Sequence, residues 1–77
     1  MKFTVEYTDT FLGEANYSWV RRETFEAPDN TSDRALMMRA RKLIGLTGMR
    51  GRTSNIGETL EFRPDGCCTV LFVTPNY

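Results

Sequence analysis

Histidine is absent from the 77 residues, and cysteine occurs only as the adjacent pair Cys67-Cys68. Without histidine the chain lacks the usual base near neutral pH and any metal site of the His type. Adjacent cysteines on a strand point to opposite faces, so they neither bond to each other without distortion nor supply spaced zinc ligands. No apolar run approaches the roughly 20 residues needed to cross a bilayer, and no signal peptide is recognisable. The expectation is a soluble cytoplasmic protein without membrane, metal or cofactor. Acid is missing from one region alone. Between Arg34 and Gly57 lie six cations (Arg34, Arg39, Arg41, Lys42, Arg50, Arg52) and no Asp or Glu.

The remaining residues compensate. Segments 1–33, 34–57 and 58–77 carry −4, +6 and −2, so the formal net charge of zero hides a polarised molecule. A one-signed stretch speaks to an oriented partner more than to fold. A chain this short forms one domain, here 1–77, and buries only about 60% of its unfolded surface. Its apolar side chains are therefore committed to the core, which leaves little for a deep ligand pocket.

Residues 2–8 alternate, with Phe3, Val5 and Tyr7 on one face, as in a half-buried strand. A loop is expected over Asp9–Ala15, then a second strand over 16–26 whose mixed faces call for a bulge. Pro28-Asp29-Asn30 stops that strand. Thr31 or Ser32 offers an N-cap, Asp33 suits the helix dipole, and Gly45 or Gly48 ends a helix running to about Ile44. Leu36, Met37, Ala40, Leu43 and Ile44 form its apolar stripe, about 120° wide, and Met38 falls among the cations of the other side. Strands are expected around Met49–Thr53, Glu58–Arg63 and Cys67–Thr74. The turn Arg63-Pro64-Asp65-Gly66 joins the last two, and Pro75 closes the chain's final strand. That strand is apolar on both faces and belongs at the sheet centre. The order ββαβββ predicts an α+β fold, a mostly antiparallel four- to five-stranded sheet with one helix packed on it.

No catalytic kit accompanies this fold. The pairs Glu58/Glu61 and Glu23/Glu26 have spacings that place their members on opposite strand faces. The glycines at 45, 48, 51 and 57 follow the helix, the wrong end for a phosphate, and no Gly-Lys-Ser/Thr follows them. Cys67 and Cys68 read as one core filler and one strand-surface residue. Trp19 reads as a core aromatic, against a base-stacking platform made with Tyr17, Arg21 and Arg22.

The basic stretch carries the functional expectation. Its helix holds no i,i+4 acid–base pair after Asp33, so it cannot neutralise itself locally. Met38 adds an adaptable apolar contact, and arginine and methionine are enriched in interface cores. Arg34, Met38, Arg41, Lys42, Arg50 and Arg52 are the expected partner-binding residues, with neutralisation by Glu6, Glu23 and Glu26 as the competing role.

The opening MKFTVEYTDTFLGEANYSWVRRE and the closing CCTVLFVT resemble the short proteins encoded by phages and prophages of proteobacteria, some of which are anti-CRISPR inhibitors. The resemblance implies a non-enzymatic inhibitor or adaptor that covers a surface of a larger host protein or ribonucleoprotein, such as a CRISPR effector. It assigns no site residues. The alternative from the charge pattern is direct nucleic-acid binding through the same basic face, with steep salt dependence.

Overall fold

A computed structural model describes residues 1–76, so the domain expected over 1–77 is followed to Asn76. The elements run β1 (Lys2–Phe11), β2 (Glu14–Glu26), α1 (Asp33–Ile44), β3 (Gly51–Ile56), β4 (Thr59–Pro64) and β5 (Thr69–Asn76). All strands join one antiparallel sheet in the order β2-β1-β5-β4-β3, with α1 packed on one face. The fold is α+β, and β5 sits at the centre. Since β2 and β3 are opposite edges, the link between them must cross the sheet, and α1 makes that crossing.

The helix begins and ends where its caps dictate. Ser32 has extended backbone (ψ 155°) and its Oγ accepts from the Ala35 N–H at 3.2 Å. Gly45, at φ 90°, donates to Lys42 O, and Leu46 donates to Arg41 O at 2.8 Å, the two bonds of a Schellman ending. Leu46, just past the helix, is buried as that motif favours. From α1, Leu36, Met37, Ala40 and Ile44 pack onto Phe3, Val5, Phe25, Leu60, Phe62, Leu71 and Val73. Leu43, expected in this stripe, is 39% exposed. Beside it, the Arg21 guanidinium of β2 reaches the helix end and donates to Leu43 O and Ile44 O, each at 3.1 Å.

The first hairpin departs most from expectation. There is no loop over Asp9–Ala15; the strands continue to a two-residue turn at Leu12-Gly13, with φ 53° and 84°. Positive φ at both central residues is the type I′ geometry that matches strand twist. The expected irregularity of β2 lies near this end: Thr8 pairs with Val20 but Thr10 with Ala15, and Tyr17 has φ 55°. Asp9 holds the bulge together by accepting from Ser18 N at 3.0 Å, Ser18 Oγ and Asn16 Nδ2. The buried Thr8 hydroxyl accepts from Tyr17 N and donates to Trp19 O. On the sheet face away from α1, Arg63 pairs with Glu61 and donates to Gly13 O at 2.7 Å, fastening the hairpin turn there.

Three other boundaries shift. β3 starts at Gly51 rather than Met49, because Met49 is held in the loop after α1, its N–H donating to Leu46 O at 3.1 Å and its C=O accepting from Arg41. At the other end, Ile56 and Thr59 bracket a tight turn at Gly57 (φ 63°). β5 starts at Thr69, which leaves Cys67 and Cys68 in the preceding bend; both are exposed, and neither fills the core. β5 also runs through Pro75. Beyond Val73 it has only β1 for a neighbour, an edge-like setting that tolerates a residue without an N–H.

Candidate partner-binding surface

The six expected binding residues do not converge. Arg34, Met38 and Arg41 recur at helical spacing on the side of α1 that faces β3, and they line an open groove with Asp33, Met37 and Thr53. The groove continues past Met38 and Arg41 to Thr47, Gly48 and Met49. It exists because α1 packs on β2, β5 and β4, leaving β3 to project beyond the helix. Met38 is 61% exposed at the rim.

Arg41 turns inward. Its guanidinium lies 4.2 Å from the Phe62 ring centroid, and Nη2 donates to Met49 O and, at 3.5 Å, to Leu46 O. Its buried Nε has no hydrogen-bond partner among the described residues, so the ring face is what compensates its desolvation. Arg41 thus clamps the loop after the helix while still lining the groove. Gly51 completes this arrangement. A Cβ there would meet Phe62 ring atoms at 2.7 and 2.8 Å, so only glycine lets the strand pass the ring that Arg41 covers.

Arg39 is also engaged internally, donating to Glu26 O at 2.7 Å with its guanidinium 4.9 Å from the Phe25 ring. Lys42 is exposed on the outer side of the helix beside Leu43. Arg52 pairs across the strands with Arg63, and so projects from the face opposite α1. Arg50 is exposed just before β3.

Neutralisation by the acidic N-terminal third does not occur. Glu6 pairs with Arg22 at 2.7 Å, Glu23 with Arg21 at 3.7 Å, and Glu61 with Arg63. Arg34, Lys42, Arg50 and Arg52 form no ion pair among the described residues. The one carboxylate on the groove, Asp33, accepts from Asn55 Nδ2 at 2.8 Å and so ties the helix start to β3.

The aromatic platform is divided by the bulge. Trp19 packs edge-on against Tyr7, centroids 5.3 Å apart, and stays 45% exposed rather than entering the core. Tyr17 reaches Glu6 on the opposite face; burial, then the Glu6 charge, raises its pKa above 10.0. Arg21 and Arg22, which would have tracked phosphates, are held by the helix end and by Glu6.

Charge counting along the chain misses one further feature of the groove. Asp65 N donates to Arg50 O at 2.9 Å, which makes that cross-strand pair a hydrogen-bonded one. Bonded and non-bonded pairs alternate in an antiparallel ladder. Gly51, Thr53 and Asn55 therefore aim their backbone N–H and C=O groups away from β4, along the outer edge of the sheet.

No family model, curated protein or solved structure matches the chain. Among the described residues, no helix is long and apolar enough to cross a membrane.

Proposed function

We propose that this chain is a non-enzymatic binding domain whose groove between α1 and β3 receives a carboxylate-rich segment of a larger protein. The observation that carries the reading is the exposed Met38, on the groove beside Arg34, which has no carboxylate partner within the described chain. Arginine engages carboxylates through directional, charge-assisted bonds, and an exposed methionine supplies apolar contact with low shape demand. The resemblance to small phage-encoded proteins supports a partner among host proteins or ribonucleoproteins, CRISPR effectors included, with the chain as inhibitor or adaptor.

The test is affinity capture from host lysate with nuclease present, comparing the native chain with Arg34→Glu. A protein partner is expected to survive nuclease, and its recovery to fall at least about tenfold with that charge reversed. Arg41 is left untouched, because its replacement would disturb the loop it clamps. Recovery of nucleic acid alone, lost on nuclease treatment, would replace this reading with direct nucleic-acid binding.

A further inference from the structure

We infer that the partner segment is held as an added β-strand on the outer edge of β3, with its alternate side chains entering the groove beside Met38 and Arg34. The inference rests on the binding role proposed above and specifies its mode. Strand addition needs a regular edge with free backbone groups and, beside it, pockets for every second side chain. Both are present at β3. Gly51, Thr53 and Asn55 present the free N–H and C=O groups, and Thr53 borders the groove.

Of the devices that usually protect an edge, proline, bulges and charge on the groove side are missing here, while Arg52 keeps a charge on the other face. Natural edges are blunted by proline, by bulges or by inward-pointing charge. Gly51–Ile56 contains no proline, pairs with β4 without a register shift, and carries uncharged residues at its three groove-side positions. At the other edge, β2 has the bulge and the left-handed Tyr17. Charge selects the occupant. Arg34, Arg50 and Arg52 surround the β3 edge, and pairing β3 with a second copy would set their cations against one another. An acidic extended segment meets the edge without that repulsion.

The experiment titrates the isotope-labelled chain with a short capped peptide alternating glutamate and valine, and with the same peptide N-methylated at alternate residues. N-methylation keeps every charge and removes backbone donors. The unmethylated peptide is expected to bind at low salt and to slow hydrogen exchange at the Thr53 and Asn55 amides. Methylation in the register that faces β3 should weaken it at least about tenfold, the effect of losing backbone bonds. Thr53→Pro should do the same, since the N–H it removes serves no bond within the sheet. Equal affinity for the methylated peptides, with Arg34→Glu still abolishing binding, would overturn strand addition and leave side-chain binding of an acidic segment intact. Absence of binding by any of these peptides would overturn the acidic-segment reading and strand addition together.

Discussion

At the β2 edge, charged groups are answered within the chain, whereas around the β3 edge the cations are left without carboxylate partners among the described residues. Asp9 gathers Ser18 and Asn16, Glu6 holds Arg22, and Arg21 caps the end of α1. On the other side, Arg34, Arg50 and Arg52 have no ion pair among the described residues, and three residues of β3 aim their backbone outward. Charge density does not separate the two regions, for both are rich in arginine. What differs is whether the fold brings a carboxylate or carbonyl to each guanidinium. An arginine becomes a candidate contact only when its internal partners have been sought and not found.

The largest expected effect breaks an internal pairing on β4 that also fastens the turn between β1 and β2. Arg63→Ala removes the partner of Glu61, whose side chain is only 9% exposed, and the bond to Gly13 O at the hairpin turn. Stranding one member of a fully buried pair costs about 3–5 kcal/mol; because Arg63 is itself 41% exposed, about 2–3 kcal/mol is expected. Chemical denaturation measures the loss. Adding Glu61→Gln should restore part of it, and a failure to do so would mean that the hairpin bond, not the ion pair, dominates.

Next is a contrast within one helix face. Arg41→Ala should cost about 1.5–3 kcal/mol, through the bonds to the Leu46–Met49 loop and the contact with Phe62. Arg34→Ala, three residues before Met37 on the same side, should stay within about 0.5 kcal/mol. Arg41→Lys should not rescue, because an ammonium cannot both stack on the ring and bond two carbonyls. Equal denaturation midpoints for the two alanine variants would erase the distinction between the inward and outward arginine.

That distinction marks the limit of what the chain's pattern reveals. The helix caps are legible because Ser32 and Gly45 act within one turn of themselves, and β5 is legible as central because both its faces are apolar. The fate of Arg41 depends on Phe62, a residue 21 positions away that only the sheet brings beneath it. The side taken by Arg52 depends on strand register, which the tight turn at Gly57 fixes. The hairpin turn was hidden because Leu12 is not a residue that turn chemistry favours, and because the bulge it serves is built by Asp9 across the strands.

Acid should sharpen the comparison further. Hydrogen bonds from Ser18, then Asn16, lower the Asp9 pKa from 3.8 to about 2. A carboxyl depressed in this way adds stability that is fully present above 3.8 and fades as the pH falls through about 2. The Ser18 amide should therefore lose protection from hydrogen exchange over that window, and Asp9→Asn should flatten its pH dependence. The Ile56 amide, whose cross-strand partner is the uncharged Thr59, should not follow. Parallel loss at both amides would point to global acid unfolding instead.

The smallest effect concerns Leu12 itself. It is 89% exposed at φ 53°, the first central position of a type I′ turn, where asparagine and glycine sit with least strain. The side chain buries almost nothing, so no core contact offsets the backbone cost of a non-glycine residue in the left-handed region. Leu12→Asn should therefore stabilise the chain by about 0.5–1 kcal/mol, read as a rise in denaturation midpoint. The neighbouring Phe11 is exposed as well, so the hairpin presents two large apolar side chains at a turn that the Arg63 bond holds in place. A gain on Leu12→Asn would show that the turn is built against its own stability. No gain would mean that Leu12 makes up the strain through contacts along the hairpin, and the turn would then need no explanation beyond the fold.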